Sequence, residues 1–270
     1  MPELPEVEVI ARGLAASLVG RAIRSAEAVW PSSLLGGEAA FARTVEGRAV
    51  EGVARRGKLL LLALTGGRTL AVHLRMTGRL VHQPLPEDGP HDRVRLELAD
   101  GSRLVFSDVR RFGTMGAFLP GTLELWDFYR NLGPEPLEMS TADFVDRLKG
   151  RRTRIKALLL DQHVVAGVGN IYADESLFRA GIRPSARGCD VSRARLAALH
   201  ACLKDVLLQA IAENGSSIRD YRDSGGNAGA FQNAFRVYGR HGQPCVHCGS
   251  ILLKSTVAGR TTSHCPKCQR

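Results

Sequence analysis

Residues 58–74, "KLLLLALTGGRTLAVHL", hold two apolar runs that meet at Gly66–Gly67. Each run is too short for a buried helix, and the Gly-Gly between them is turn chemistry, so the stretch reads as two strands joined tightly. "RVRLELA" (93–99) and "RLVFSD" (103–108) repeat the pattern around Asp100–Gly101, behind an exposed Pro-rich loop, "PLPEDGPHD" (84–92). Short strands punctuated by Gly, Pro and Asp make a β-sandwich or a barrel.

Upstream lies "MPELPEVEVIARGL" (1–14). Pro5 suits a first helical turn, because its fixed φ fits and its missing N–H has no partner there anyway. Glu3, Glu6 and Glu8 complement the positive helix N-terminus. Leu4, Val7, Ile10, Ala11 and Leu14 recur at helical spacing, with Gly20 as the stop. That accounts for Pro5 and leaves Pro2 and Glu3 open. Downstream, the composition changes across "NLGPEPLEMSTADF" (131–144): "STADF" is a helix-start signal, and helical patterns continue to about residue 214. A domain boundary is therefore expected near 131–140, and "SSIRDYRDSGGNAGAFQN" (216–233) reads as a mobile Gly/Ser-rich segment.

At 270 residues and 44% apolar composition, the chain can bury a core and is long enough for two domains. No stretch approaches the ~18 apolar residues of a membrane span, and glutamates stand where a signal peptide carries lysine or arginine, so a cytoplasmic protein is expected. The net charge of +10 is uneven: residues 1–146 carry 17 Lys+Arg against 19 Asp+Glu (−2), and residues 147–270 carry 20 against 8 (+12). From Ser224 onward there is no acidic side chain. One basic half points to a polyanion, most simply nucleic acid.

Cys245-x-x-Cys248 and Cys265-x-x-Cys268 stand sixteen residues apart. Two such knuckles hold four thiolates around one structural zinc ion, with a β-hairpin between them. Disulfides are the alternative, disfavoured in a reducing compartment, and iron is a smaller one. His241, His247 and His264 lie nearby, but the four cysteines already fill the shell. Cys189 and Cys202 are lone residues in helical context and read as inert.

These features come together in a resemblance. The chain resembles the bacterial formamidopyrimidine-DNA glycosylase (MutM) family over essentially its whole length. The motifs stand in family order: "MPELPEVE" (1–8), "RRGKLLL" (55–61), "HLRMTG" (73–78), "HDRV" (91–94), "DVRRFG" (108–113), "LGPEPL" (132–137), "VAGVGNIYADESLF" (165–178), "VYGR" (237–240) and the cysteine hairpin with "AGRTTSHCPKCQ". The resemblance implies an α+β multidomain fold. Residues 1–132 would form a β-sandwich with an opening helix, and 133–235 a helix-two-turn-helix domain with a lesion-capping loop at about 216–233. Residues 236–270 would form the zinc finger. It also implies excision of oxidised purines such as 8-oxoguanine and formamidopyrimidines, then strand cleavage at the abasic site. Duplex DNA carrying oxidised bases or abasic sites would be the partner. A monomer associated with the bacterial nucleoid is expected.

The implied chemistry asks for the residues present. Removal of Met1 would leave Pro2 with a free secondary amine, and an α-amine titrates near about 8, so it is substantially neutral in the cell. Such an amine attacks the sugar carbon bearing the damaged base and yields an iminium, an electron sink that drives β- and δ-elimination. Pro2 thus matches the nucleophile and Glu3 the acid–base residue. Lys58 matches the proton donor of β-elimination, and Arg260 the residue that contacts phosphates and assists δ-elimination. Asn170 follows a glycine turn before a helix, and reads as an N-cap and a phosphate ligand. His91, Arg151 and Tyr238 match further DNA contacts. Lys156 and Glu175 match family positions without an assigned part.

Base flipping leaves a void that must be filled. Phe112 would wedge between base pairs, Met76 would occupy the vacated space, and Arg110 would hydrogen-bond the orphaned base. Three departures from the family pattern stand out: Arg75 where glycine is usual, Val109 where proline is usual, and a loop reading "GGNAGAF" without a second aromatic. Two other readings compete. An endonuclease VIII-like enzyme for oxidised pyrimidines is disfavoured by "PELPEVE" and the Arg110–Phe112 pair. A non-catalytic zinc-hairpin DNA-binding protein would need none of Pro2, Glu3 and Lys58.

Overall fold

Glu3 is the N-cap of the opening helix, α1 (Leu4–Leu18), and its backbone N–H donates to Glu6 Oε2 at 2.9 Å in the manner of a capping box. Val19 ends the helix, and Gly20 follows at φ +88°. Next come β1 (Ile23–Glu27), the short β2 (Leu34–Leu35) and α2 (Glu38–Val45). Seven strands follow: β3 (Val50–Arg56), β4 (Leu59–Leu64), β5 (Arg68–His73), β6 (Gly78–Gln83), β7 (Asp92–Leu98), β8 (Arg103–Asp108) and β9 (Thr114–Phe118). They form one sheet in the order β1-β7-β8-β6 and another in the order β2-β9-β5-β4-β3. Leu60, Leu62, Leu70 and Val72 from one sheet meet Leu80, Val94, Leu96 and Phe106 from the other, in a core that also takes Val7, Ile10 and Leu14 of α1. Of the two all-β arrangements that the pattern allows, the chain builds the sandwich.

This is a computed structural model, and it describes residues 1–217, 221 and 227–270. The chain divides into two units: Met1–Asn131 with Asn214–Gly229, and Leu132–Glu213 with Ala230–Arg270. After the short α3 (Asp127–Arg130), the second unit holds α4 (Thr141–Leu148), α5 (Ile155–Leu160), α6 (Asn170–Arg179) and α7 (Arg193–Ala212). "STADF" starts α4 as expected: Ser140 Oγ accepts the Asp143 N–H at 3.1 Å. Helix α6 packs on α5 and α7, and α4 packs on α7. The antiparallel hairpin of β10 (Leu253–Val257) and β11 (Arg260–His264) lies between the two cysteine knuckles, turned by Ala258 and Gly259 at φ +51° and +69°. No helix among the described residues is long and apolar enough to cross a membrane.

Three local expectations need correction. Lys58 is not the first residue of a strand, because Gly57 takes φ +58° and the pair Gly57–Lys58 forms the β3–β4 turn. Glu8 does not serve the helix N-terminus; it pairs with Arg12 and with Arg55, each at 2.8 Å. Asn170 is the first residue of α6, and the cap is Gly169 in extended backbone. Of the segment 216–233, residues 218–220 and 222–226 lie outside the described residues.

Candidate active site and nucleic-acid interface

Chain termini are usually exposed and loose unless tied down. Here Pro2 is buried and Glu3 is only 4% exposed. Glu6, one turn on, is the tie: Oε2 accepts the Glu3 N–H, and Oε1 accepts the Ser216 N–H at 2.8 Å. Gly215 permits this approach, since it stands at φ +75° and a Cβ there would come 3.0 Å from Glu6 Cγ. Ser217 Oγ accepts the Gly229 N–H at 2.8 Å, and a Cβ on Gly229 would lie 2.3 Å from the Gly215 carbonyl oxygen. The two described ends of the Gly-rich loop therefore close on each other above Glu6. Lys58 is buried in its turn, 8% exposed.

A second cluster gathers the three residues expected to fill a void in DNA. Met76 and Phe112 are exposed, 39% and 52%. The Arg110 guanidinium lies 4.8 Å from the Phe112 ring centroid, and its Nη1 is 3.1 Å from Met76 Sδ. Beneath them sits Asp108, which the sequence does not single out. Its Oδ1 accepts from Thr77 Oγ1 and from the Arg110 N–H, and its Oδ2 accepts the N–H groups of Phe112 and Gly113 at 2.8 and 2.7 Å. One buried carboxylate thus ties the Met76 turn to the Arg110–Phe112 turn. The exposed His91 is joined to the same residue, its carbonyl accepting the Asp108 N–H at 2.9 Å. His73 is held neutral: burial, then the charges of Arg75 and Lys58, push its pKa down to about 3. Its Nδ1 accepts the Arg75 N–H at 3.0 Å, so its proton is on Nε2.

In the second unit, Arg260 is exposed at the start of β11. Its strand is fastened to α6. Lys156, fully buried, pairs with Asp174 Oδ1 at 2.7 Å and donates to Thr262 Oγ1 and the Thr261 carbonyl at 2.8 and 3.2 Å. Asp174 Oδ2 accepts the Ser263 N–H at 3.1 Å, and Asn170 Nδ2 donates to the Thr261 carbonyl at 3.0 Å. Burial pushes the Asp174 pKa up to about 6, against the opposing pull of Lys156. The next residue, Glu175, is also fully buried and accepts the N–H groups of Arg236, Val237 and Tyr238 at 2.9, 3.0 and 2.8 Å. Lys156 and Glu175 thereby acquire a part, holding the segments that carry Arg260 and Tyr238. Arg151 is exposed beyond α4, and Tyr238 is half-buried.

The sulfurs of Cys245, Cys248, Cys265 and Cys268 all lie within 4.8 Å of one another. Two of the separations are 3.5 and 3.9 Å, too long for disulfides and near the ~3.8 Å edge of a tetrahedron with metal–sulfur bonds of about 2.3 Å. Burial and the neighbouring thiols push the Cys268 pKa up to about 12, while hydrogen bonds from Ser250 bring Cys248 down to about 6, so the cluster does not ionise as a whole without a cation among the sulfurs. The donor set fits a soft divalent metal. His247 instead packs on Phe178, ring centroids 4.9 Å apart.

The family described as Formamidopyrimidine-DNA glycosylase N-terminal domain matches residues 1–115, and its H2TH domain matches 132–222. Formamidopyrimidine-DNA glycosylases of Chloroflexus aggregans and Nitratidesulfovibrio vulgaris are 46% and 44% identical over the whole of this chain and 98% and 100% of theirs. The crystal structure of a Lactococcus lactis FPG mutant with Fapy-dG containing DNA superposes at a TM-score of 0.92, 36% identical and covering 100% of both chains. MutM (Fpg) from Thermus thermophilus superposes at 0.90, 40% identical over 99% of this chain and 98% of its own. A buried N-terminal Pro-Glu, the Met76–Arg110–Phe112 cluster, the four-cysteine hairpin and both domain matches lead to one statement: the chain belongs to the formamidopyrimidine-DNA glycosylase family.

Proposed function

We propose that this DNA glycosylase removes oxidised purines from duplex DNA and then cleaves the strand, with Pro2 as the attacking amine. The observation that carries this reading is the burial of Pro2 and Glu3, fixed through Glu6 to the base of the Gly-rich loop. A helix start needs no such enclosure; a reacting amine does, because water excluded from the site cannot compete for the sugar.

With Met1 removed, the Pro2 nitrogen lone pair forms a bond to the sugar C1′, and the bond from C1′ to the damaged base breaks. Glu3 delivers protons for base departure and opening of the sugar ring. The amine proton is lost, leaving a cationic iminium between Pro2 and C1′. The adjacent C–H gives up its proton, and the electron pair expels the 3′-phosphate; a second elimination expels the 5′-phosphate. Lys58 supplies a proton in the first elimination, and Arg260 holds the phosphate in the second. Water then hydrolyses the iminium and frees Pro2. Asn170, His91, Arg151 and Tyr238 hold the DNA backbone, while Met76, Arg110 and Phe112 fill the gap left by the extruded base. One zinc ion held by the four cysteines keeps the Arg260 hairpin rigid and takes no part in the chemistry.

The test separates the two reactions. An abasic sugar already equilibrates with an open aldehyde, so iminium formation there needs mainly the neutral amine. Glu3→Gln should lose 8-oxoguanine excision by about 100-fold or more while keeping appreciable cleavage at a pre-formed abasic site. Equal loss of both activities in a folded, DNA-bound variant would refute the assignment.

A further inference from the structure

Arg75 stands at φ +51°, the left-handed region that glycine enters freely and an arginine enters at a cost. Such strain persists where something else fixes it. Here the backbone N–H is fixed by His73 Nδ1, and the side chain lies along an aromatic support. The guanidinium carbon is 5.6 Å from the Phe128 ring centroid. Phe128 stacks on Trp126 at 5.1 Å, Trp126 stacks on Phe118 at 5.4 Å, and His73 meets the edge of Phe128 at 5.5 Å. The rings consume one another's faces, so the stack acts as a buttress for the cation.

Arg55, Arg95 and Arg103 in the same unit each hold a carboxylate at 2.9 Å or less. No carboxylate pairs with Arg75 among the described residues, and its side chain is exposed. The next residue is Met76, whose sulfur meets Arg110. An unneutralised guanidinium, braced on a ring and placed beside the void-filling group, presents a planar donor fork. The matching acceptor is a phosphate, which takes two parallel N–H bonds from it.

We infer that Arg75 binds a backbone phosphate of the DNA beside the Met76–Arg110–Phe112 wedge; the inference rests on the glycosylase reading above. This contact adds to those made by the basic second unit. It also gives the left-handed turn a purpose, since the turn leaves the side chain exposed on the Phe128 ring, one residue from Met76.

The experiment measures equilibrium binding of the full-length, zinc-loaded protein to a short duplex with one tetrahydrofuran abasic analogue, across a potassium chloride series. Each phosphate contact contributes about 0.9 to the slope of log affinity against log salt. Arg75→Gln should flatten the slope by about that amount, and Arg75→Lys should restore it. Arg75→Gly, which suits the backbone, should fold at least as well and still show the flattened slope. A wild-type slope in Arg75→Gln overturns the inference, and weaker binding without a slope change would mean that the residue only shapes the turn. Wild-type protein that does not bind this duplex would instead count against the glycosylase reading itself.

Discussion

Asp108 in the first unit and Asp174 in the second are both 1% exposed, and each lies under a segment that carries candidate DNA contacts. They are satisfied differently. Asp108 is ringed by three backbone N–H groups and the Thr77 hydroxyl. Asp174 faces a buried lysine and one backbone N–H. Backbone donors stay in place whatever side chain their residue carries, proline excepted, so a change at Asp108 leaves three N–H groups that a partner substitution does not readily re-pair. An ion pair has two replaceable ends, and a buried pair often does no better than apolar residues of similar volume. The first unit therefore shapes its Met76–Arg110–Phe112 cluster around one carboxylate that is hard to replace, while the second secures its hairpin with a pair that could be rebuilt.

The largest expected effect breaks one unit and spares the other. Cys248→Ser should release the metal, because structural zinc contributes on the order of 10 kcal/mol in small zinc-binding peptides. Metal content should fall to background and DNA affinity should drop as the Arg260 hairpin loosens. Both tryptophans, Trp30 and Trp126, belong to the first unit, so their fluorescence melting should remain near that of the wild type. A lowered tryptophan transition would show that the two units do not melt independently.

The carboxylates come next. Asp108→Asn turns an amide NH2 toward backbone donors and should cost about 2–4 kcal/mol in the tryptophan transition. Asp174→Asn leaves Lys156 poorly paired and should cost about 3–5 kcal/mol, read by circular dichroism of the helical unit. Lys156→Met with Asp174→Leu should recover most of that loss. If the double variant is no better than the single one, the contrast between the two arrangements fails.

Why neither carboxylate could be read beforehand follows from where its partners come from. Thr77 is 31 residues from Asp108, and Lys156 reaches Thr262 across 106. Periodicity reports which face of an element is apolar, and it is silent on which distant amide a carboxylate will meet. Strands β4, β5, β7 and β8 were legible because the sandwich buries alternate residues, but "GRLVHQ" of β6 was not, since only its Leu80 enters the apolar core. "VEGVARR" of β3 was not, since that edge strand is half-exposed and its charges mask the period. The cysteine pairs declared a metal site by spacing alone, and the four sulfurs do converge. Pro2 is different in kind: only the family resemblance gave it a part, and nothing in the pattern forecast its burial. Glu6 had a local signal in its three-residue spacing from Glu3, but its bond to Ser216 spans 210 residues.

A smaller effect, of opposite sign in the two units, should appear with pH. His73 ordinarily titrates near 6.5 and is held near 3 in the fold. Between those values the unfolded chain takes a proton that the folded one refuses, so the first unit loses stability as pH falls from 6.5 toward 3. Asp174 ordinarily titrates near 3.8 and is raised to about 6. The folded chain then keeps a proton that the unfolded one releases, so this group costs the second unit stability as pH rises from about 4 to 6. Each contribution is at most a few kcal/mol. Comparing His73→Gln and Asp174→Asn with the wild type from pH 4 to 7, by fluorescence and by circular dichroism, isolates the two slopes. Slopes of the same sign would contradict a lowered pKa at His73 and a raised one at Asp174.

The central claim, that the buried N-terminal proline is the reacting amine, is tested most directly by borohydride reduction during turnover. Duplexes carrying 8-oxoguanine or an oxidised pyrimidine would be incubated with the protein, reduced and digested, and the adduct located by peptide mass spectrometry. The account predicts a covalent adduct on Pro2 of protein lacking Met1, formed faster with 8-oxoguanine. An adduct on Lys58, full strand cleavage by protein that retains Met1, or faster trapping with the pyrimidine lesion would contradict it.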